Sequence, residues 1–317
     1  MKVICGTSNP ELSKEIVEYL KINPTNILIK KFADGEIYAR LKEDIRGEDV
    51  FIVQSTNSND NLMELLIMID AAKRASAKRI TAIIPYYGYG RQDRKAEARE
   101  PITAKLVANL ITVAGTDRVL TIDLHSPQIQ GFFDIPLDDT WAFPIFVRYF
   151  QKKSIKNLTI VSPDAGGVKR ALHLSKRLNA LIAMIDKRRT EHNKIEEMKV
   201  IGDVKGKNAI IYDDIIDTGG TICTAATALK KAGAKNVYIC AVHPVFSGNA
   251  VEKLIASDAK EILVTNSIPT KKTKKIKVLD MSYILAIAIK NIHESRSIST
   301  LDKQILRKKK IKWTKRK

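Results

Sequence analysis

The chain has 317 residues, with 54 Lys and Arg against 35 Asp and Glu and a formal charge of +19. At roughly 150 residues per domain that length suits two domains, and 44% hydrophobic with 28% charged residues excludes wholesale disorder. No apolar run approaches the ~20 residues of a membrane-spanning helix, Met1–Thr7 lacks the apolar core of a signal peptide, and Cys5, Cys223 and Cys240 are too few and too scattered for a disulfide framework or a zinc site, so the expectation is a soluble cytoplasmic protein with no membrane partner.

Short β-branched runs alternate with amphipathic stretches, the pattern of parallel sheets flanked by helices. In chain order it predicts a strand over Lys2–Cys5, a helix over Pro10–Leu20, a strand over Asp49–Gln54 and a helix over Asn61–Ser76. A strand over Arg79–Pro85, a helix over Ile102–Ala114 and a strand over Arg118–Asp123 follow. Further on come a strand over Leu158–Ser162, a helix over Gly166–Leu178, strands over Leu181–Asp186 and Asn208–Tyr212, a helix over Thr221–Ala232, and strands over Asn236–Val242 and Glu261–Thr265. Gly115 and Gly233 stand where helices should stop. Ala75-Ser76-Ala77-Lys78-Arg79-Ile80 and Ala232-Gly233-Ala234-Lys235-Asn236-Val237 are alike and lie 157 positions apart. This hints at two similar α/β domains, 1–142 and 143–301, followed by a basic extension, 302–317.

A pI near 9.7 raises the question of nucleic acid. Lys303–Lys317 holds nine Lys or Arg and no acid, and Pro269–Lys277 holds five Lys; together they carry 14 of the 19 excess charges. The body is therefore only mildly basic. The expected reading is a solvated tail and a solvated Lys-rich loop, not a nucleic-acid partner; attachment to RNA is the alternative.

Five predicted strands in succession run into polar, Gly-rich or charged turns: Tyr86–Asp93, Leu124-His125-Ser126, Pro163–Gly167, Lys187-Arg188-Arg189 and Asp213–Thr221. Ligands of parallel sheets bind beyond the carboxyl ends of strands, where loops converge. The last turn is the most informative. A buried strand ends in Asp213-Asp214, an apolar pair follows, and Asp217-Thr218-Gly219-Gly220-Thr221 opens a helix. Glycines let backbone N–H groups approach a phosphate, and the helix N-terminus adds a favourable dipole. Thr218 and Thr221 supply hydroxyls, and Thr221 suits the N-cap. The carboxylates would repel a phosphate, so they suit sugar hydroxyls or a metal.

This segment resembles the loop for phosphoribosyl diphosphate (PRPP) shared by phosphoribosyltransferases and PRPP synthetases. Asp123-Leu124-His125-Ser126-Pro127-Gln128-Ile129-Gln130-Gly131-Phe132-Phe133-Asp134 and the residues to Asp138 resemble the signature of ribose-phosphate diphosphokinase. Phe32–Glu36, Asn61–Leu65, Arg91–Arg94, Pro101-Ile102-Thr103-Ala104-Lys105 and Asp186–Arg189 accompany it in the family's order, so the resemblance runs from about Lys2 to Leu301.

The resemblance implies two phosphoribosyltransferase-type domains and transfer of a diphosphoryl group from ATP to the anomeric hydroxyl of ribose 5-phosphate, for nucleotide biosynthesis. Mg²⁺ is the implied cofactor. Lys187 and Arg189, on a mobile loop, would stabilise charge on the phosphates, with Arg189 also reaching ribose 5-phosphate. His125 and Asp164 would serve the metal, His125 directly, through water or through ATP phosphate, since this hard ion prefers oxygen. Asp123, Asp134 and Asp138 would buttress that signature. Arg91 and Gln92 would hold ATP, and Asp34, Gly35 and Glu36 would reach it from a neighbouring subunit. Asp213, Asp217, Thr218, Gly219, Gly220 and Thr221 would bind ribose 5-phosphate. The implied assembly is a homo-hexamer with shared active sites.

The chain departs from the family pattern at Thr190-Glu191-His192, where relatives often carry a further Arg, and at its end. Ser297-Ile298-Ser299-Thr300-Leu301-Asp302 replaces a Ser-x-Ser-x-Leu-Phe terminus and fifteen residues follow, so the expectation is altered allostery by phosphate and ADP with intact catalysis. Two other enzymatic or regulatory identities compete. A PRPP-consuming phosphoribosyltransferase would need neither Arg91 nor the His125 signature, and a non-catalytic synthetase-like subunit would have lost loop or metal residues that are present here.

Overall fold

The computed structural model describes residues 1–189 and 196–307. The Thr190-Glu191-His192 departure and the tail from Lys308 onward lie outside the described residues. The described chain forms two compact units, one of them interrupted by the other.

The first unit begins with β1 (Lys2–Cys5) and α1 (Pro10–Leu20). Asn9 caps α1, its side chain accepting from the Leu12 N–H at 3.2 Å, and Pro10 fits the first turn, where its missing donor costs nothing. A hairpin follows, β2 (Ile27–Lys31) and β3 (Ile37–Leu41), then β4 (Asp49–Val53), α2 (Asn59–Arg74), β5 (Arg79–Ile84), α3 (Thr103–Ala114), β6 (Arg118–Ile122), a 3-10 turn over Pro127–Phe132, and β7 (Leu137–Thr140). The sheet order is β1-β4-β5-β6-β7 and every pairing is parallel. The β2–β3 hairpin is a separate antiparallel ribbon whose Ile27, Ile29, Ala39 and Leu41 pack on the first core. Val50, Ile52, Leu65, Met68, Ile80 and Val107 form the middle of that core.

The second unit contains α4 (Phe143–Lys153), β8 (Leu158–Ser162), α5 (Val168–Leu178), β9 (Leu181–Arg189), β10 (Glu196–Ile201), β11 (Asn208–Ile216), α6 (Gly220–Lys231), β12 (Asn236–Pro244), α7 (Ala250–Ala256), β13 (Glu261–Thr265) and β14 (Ile276–Leu279). Its sheet runs β10-β9-β8-β11-β12-β13-β14, with the β9–β10 pair antiparallel and the others parallel. Val161, Ile211, Ala226, Val237, Ile239 and Ile262 centre its core. The chain then returns to the first unit with α8 (Ser282–His293), which packs on α1, and α9 (Leu301–Arg307).

The two units repeat one plan. Strand, helix, antiparallel hairpin, strand, helix, strand is the order from β1 to β5 and again from β8 to β12. The order β1-β4-β5-β6-β7 is matched by β8-β11-β12-β13-β14. The similar hexapeptides occupy the same joint. Ser76 (φ 60°) and Gly233 (φ 88°) both turn left-handed after their helices, and Ala77 and Ala234 N–H groups close onto Ala72 and Leu229 carbonyls at 3.2 and 3.0 Å.

Several expectations are corrected by the packing. The expected 143–301 domain stops at Leu279, apart from 267–269, because α8 packs on α1 within the first unit. Lys303–Arg307 of the basic extension is helical, with Leu301 and Ile305 of α9 buried. The Lys-rich loop ends in β14; there Lys275 Nζ donates to the Ile255 carbonyl at 2.8 Å, and Lys277 pairs with the nearly buried Glu261. Among the described residues no helix is long and apolar enough to cross a membrane.

Candidate active site

In the first unit a cleft of about 530 Å³ opens beyond β4 and β5, lined by residues 56–59, Tyr86, Gly88, Tyr89, Arg91 and Gln92. That volume lies in the range of small-molecule sites. Gly88 makes the turn possible: a Cβ there would lie 2.0 Å from the Thr56 carbonyl oxygen, and its N–H donates to Thr56 Oγ1 at 2.7 Å. Tyr89 takes a left-handed φ of 62° and its hydroxyl donates to Asn59 Oδ1 at 2.5 Å. Arg91 and Gln92 are exposed on the rim, and Gln92 is held by its neighbours: its N–H donates to the Tyr89 carbonyl at 2.9 Å and its Oε1 accepts from Thr103 Oγ1 at 2.6 Å.

Asp34, Gly35 and Glu36 form the exposed tip of the β2–β3 ribbon. Gly35 (φ 96°) turns the chain, with open space where a Cβ would be, and the Glu36 N–H donates to Asp34 Oδ1 at 3.0 Å.

His125 lies exposed just after β6. The backbone is aimed by Asp123, a buried residue with φ 47° whose Oδ2 accepts from the Ala142 N–H at 2.7 Å. Asp138 pairs with Arg118 at 2.5 Å and Asp134 lies 3.8 Å from Lys105. Asp123 and Asp138 thus hold close partners within the fold, whereas Asp134 makes only an exposed surface pair.

In the second unit Asp164 follows β8, exposed, and its Oδ1 accepts from the Gly167 N–H at 2.9 Å at the start of α5. Lys187 and Arg189 fall in β9, not in a loop: their backbones are in register with Met198 and Glu196 of β10. The β9–β10 hairpin occupies the same place in its unit as the β2–β3 ribbon does in the other.

Strand β11 continues past its expected end at Tyr212 to Ile216, so both acids are strand residues. Asp214 is buried and accepts from Arg170 at 2.9 Å, while Asp213 is partly exposed and 3.5 Å from the same guanidinium. Burial, and then the charge of Asp214, push the Asp213 carboxyl up to about 8, with Arg170 opposing. Gly219 (φ 74°) is the N-cap of α6, not Thr221, and no side chain caps this helix. The first N–H groups of α6 are thus left for an anion. Asp217 is half-buried and Thr218 and Thr221 are exposed around that start.

The structure brings Arg91 and Gln92 together in one cleft, and Asp213 with 217–221 around one strand–turn–helix. Among the described residues no group of three or more His, Cys, Asp and Glu side chains gathers as a metal cage. Single hard carboxylates such as Asp164 suit a cation that keeps waters and takes most other ligands from phosphates, which is how Mg²⁺ is usually held. Residues 56–59, Tyr86, Gly88 and Tyr89 were not selected from the sequence. The Tyr86–Asp93 turn pointed to the latter three, but 56–59 carried only the cap signal of Ser58, which accepts from the Asn61 N–H at 3.1 Å.

Comparison with known proteins follows the same lines. The profile of the N-terminal domain of ribose phosphate pyrophosphokinase matches residues 1–115, and that of the phosphoribosyl synthetase-associated domain matches residues 189–303. The ribose-phosphate pyrophosphokinases of Bacillus caldolyticus and of Bacillus subtilis strain 168 are each 53% identical over 306 residues, covering 95% of this chain and 97% and 96% of theirs. The crystal structure of phosphoribosylpyrophosphate synthetase from Mycobacterium smegmatis is similar with a TM-score of 0.87 at 41% identity, over 93% of this chain and 99% of that one. At this identity and coverage, the chain belongs to the ribose-phosphate pyrophosphokinase family.

Proposed function

We propose that the protein transfers the diphosphoryl group of ATP to the 1-hydroxyl of ribose 5-phosphate, giving PRPP and AMP for nucleotide biosynthesis. The observation that carries this is the 213–221 segment, an acid-bearing strand end followed by an uncapped helix N-terminus, in a chain half identical to named ribose-phosphate pyrophosphokinases. The N–H groups at the start of α6, with Thr218, Gly219, Gly220 and Thr221, take the 5-phosphate. Asp213 and Asp217 accept from the 2- and 3-hydroxyls. Hydroxyl donors favour the ionised form of Asp213, so sugar binding draws its raised carboxyl back down.

The cleft of the first unit takes ATP, with Arg91 and Gln92 on its rim and Asp34, Gly35 and Glu36 supplied by the ribbon tip of a neighbouring subunit. The sugar oxygen attacks the β-phosphorus, the bond from that phosphorus to the α–β bridging oxygen breaks, and AMP leaves while the hydroxyl passes its proton to solvent water. Lys187 and Arg189 stabilise the charge on the phosphoryl oxygens, and no side chain acts as a covalent nucleophile. Mg²⁺, when bound, neutralises phosphate charge, with Asp164 and His125 as the residues that would hold it, His125 through water or through ATP. The working form is a cytoplasmic hexamer.

The test is AMP release from ATP with Mg²⁺, with and without ribose 5-phosphate, for the natural chain and for Lys187→Ala. AMP release should require the sugar and fall at least ~10²-fold in the variant. Release that ignores the sugar, or an unchanged rate in Lys187→Ala, refutes the proposal.

A further inference from the structure

The Pro101-Ile102-Thr103-Ala104-Lys105 stretch has no part in the reaction as set out above. In the fold it begins α3 and is tied to two of the loops of the first unit that carry candidate site residues, the turn with Arg91 and Gln92 and the one that follows His125. The Thr103 hydroxyl donates to Gln92 Oε1 at 2.6 Å, and the Ala104 N–H donates to the Gln92 carbonyl at 3.1 Å. The Tyr87 hydroxyl donates to the Ala104 carbonyl at 2.8 Å, and Lys105 Nζ donates to the Phe132 carbonyl at 2.7 Å in the turn after His125. Gln92 is therefore fixed at backbone and side chain by two consecutive residues of one helix.

A carboxamide has one acceptor oxygen and one NH₂ group with two donors, in nearly the same shape. Which of them faces a ligand depends on what holds the other. We infer that Thr103 is a positioning residue that engages the Gln92 oxygen and leaves the NH₂ group for the nucleotide. The ATP cleft then presents a donor at this place, and it selects an acceptor atom, a ring nitrogen of the base or a phosphate oxygen. The inference rests on the ATP reading of the cleft. Without the Thr103 hydroxyl the carboxamide samples both orientations, and the contact with ATP loses the worth of an ordinary hydrogen bond, about three- to tenfold in affinity.

The experiment is steady-state AMP release by the full-length protein. Thr103→Val should raise the KM for ATP about three- to tenfold and leave kcat within about twofold. Thr103→Ser, which keeps the hydroxyl, should match the natural chain. In a Gln92→Leu background, Thr103→Val should add nothing further. Gln92→Glu keeps an oxygen for Thr103 but offers ATP an acceptor, so it should weaken ATP as much as Gln92→Leu; this arm stands even if Thr103→Val fails to fold. Loss of the Thr103 effect with 1-deaza-, 3-deaza- or 7-deaza-ATP assigns the acceptor to the base, and its persistence with all three assigns it to a phosphate. An unchanged KM in Thr103→Val, full additivity with Gln92→Leu, or natural ATP affinity in Gln92→Glu overturns the inference. Arg91→Ala separates the two levels: if it too leaves ATP binding unchanged, the cleft does not take ATP and the functional reading falls with it.

Discussion

Replacing Arg170 by Met should be among the most destabilising single changes in the second unit. The guanidinium lies 2.9 Å from Asp214, which is only 3% exposed, and 3.5 Å from Asp213. Removing one partner of a buried ion pair costs about 3–5 kcal/mol, because a charge is left in a setting that cannot solvate it. At about 2–4 °C per kcal/mol for a domain of this size, the melting temperature should fall by roughly 6–20 °C. The loss should also depend on pH. Asp213 is already raised to about 8 with Arg170 opposing the shift, so its removal raises that carboxyl further. A carboxyl raised on folding contributes stability that is complete below its unfolded pKa, near 4, and is lost as pH rises through the folded value. The deficit of Arg170→Met should therefore be larger at pH 8 than at pH 5. Differential scanning calorimetry at both values measures it, and Arg170→Met with Asp214→Asn should recover much of the loss. A melting temperature within 2 °C of the natural chain (about 1 kcal/mol), or a larger deficit at pH 5, would refute the reasoning.

Asp213→Asn removes the same penalty and should raise the melting temperature at pH 8 more than at pH 5, while ribose 5-phosphate binding, followed by calorimetry, weakens at least tenfold. Gly88→Ala places a methyl 2.0 Å from the Thr56 carbonyl oxygen and should abolish ATP binding by displacing the turn, with natural affinity as the contrary result. Ending the chain after Thr300 removes the buried Leu301 and Ile305, at a cost of about 3 kcal/mol by area, and calorimetry should detect it. Activation by phosphate and inhibition by ADP should differ from what the family resemblance implies, since Leu301 is followed by Asp302 and both lie in α9; ordinary response curves would contradict this.

The elements with strong local signals were legible in the sequence. Lys2–Cys5, Pro10–Leu20 and Leu158–Ser162 carry clear periodicity or caps and fall within the predicted limits. The elements missed depend on tertiary partners. In the β2–β3 ribbon only Ile27, Ile29, Ala39 and Leu41 meet the core, and its lysines and arginine hide the alternation. Short β7 and β14 exist because β6 and β13 offer open edges to pair with. Lys187-Arg188-Arg189 read as a loop because charged residues are poor strand formers, yet the ladder to β10 extends them. Asp213 and Asp214 read as the end of a strand for the same reason; Arg170, 44 residues earlier, is what lets the strand carry two acids onward. The Gly-rich turn that opens a helix at 219 and 220 is legible, whereas the N-cap falls on Gly219 and not on Thr221, where side-chain preference, which favours Thr over a left-handed Gly, would put it.

The interruption of one unit by the other has a consequence for synthesis on the ribosome. Helix α1, in which Leu12, Ile16 and Val17 are buried, packs on α8, where Tyr19 meets Tyr283 edge to face at 5.4 Å. That contact joins residues more than two hundred and fifty positions apart. The last strand of the second unit ends at Leu279, ahead of α8 in the chain. The chain segment made first is thus the one whose packing is finished last, and the nascent first sheet must wait with an uncovered helix face while its neighbour closes. A pause in elongation near residue 280 would lengthen that wait, so translation speed there bears on yield in a way that no property of the finished protein reveals.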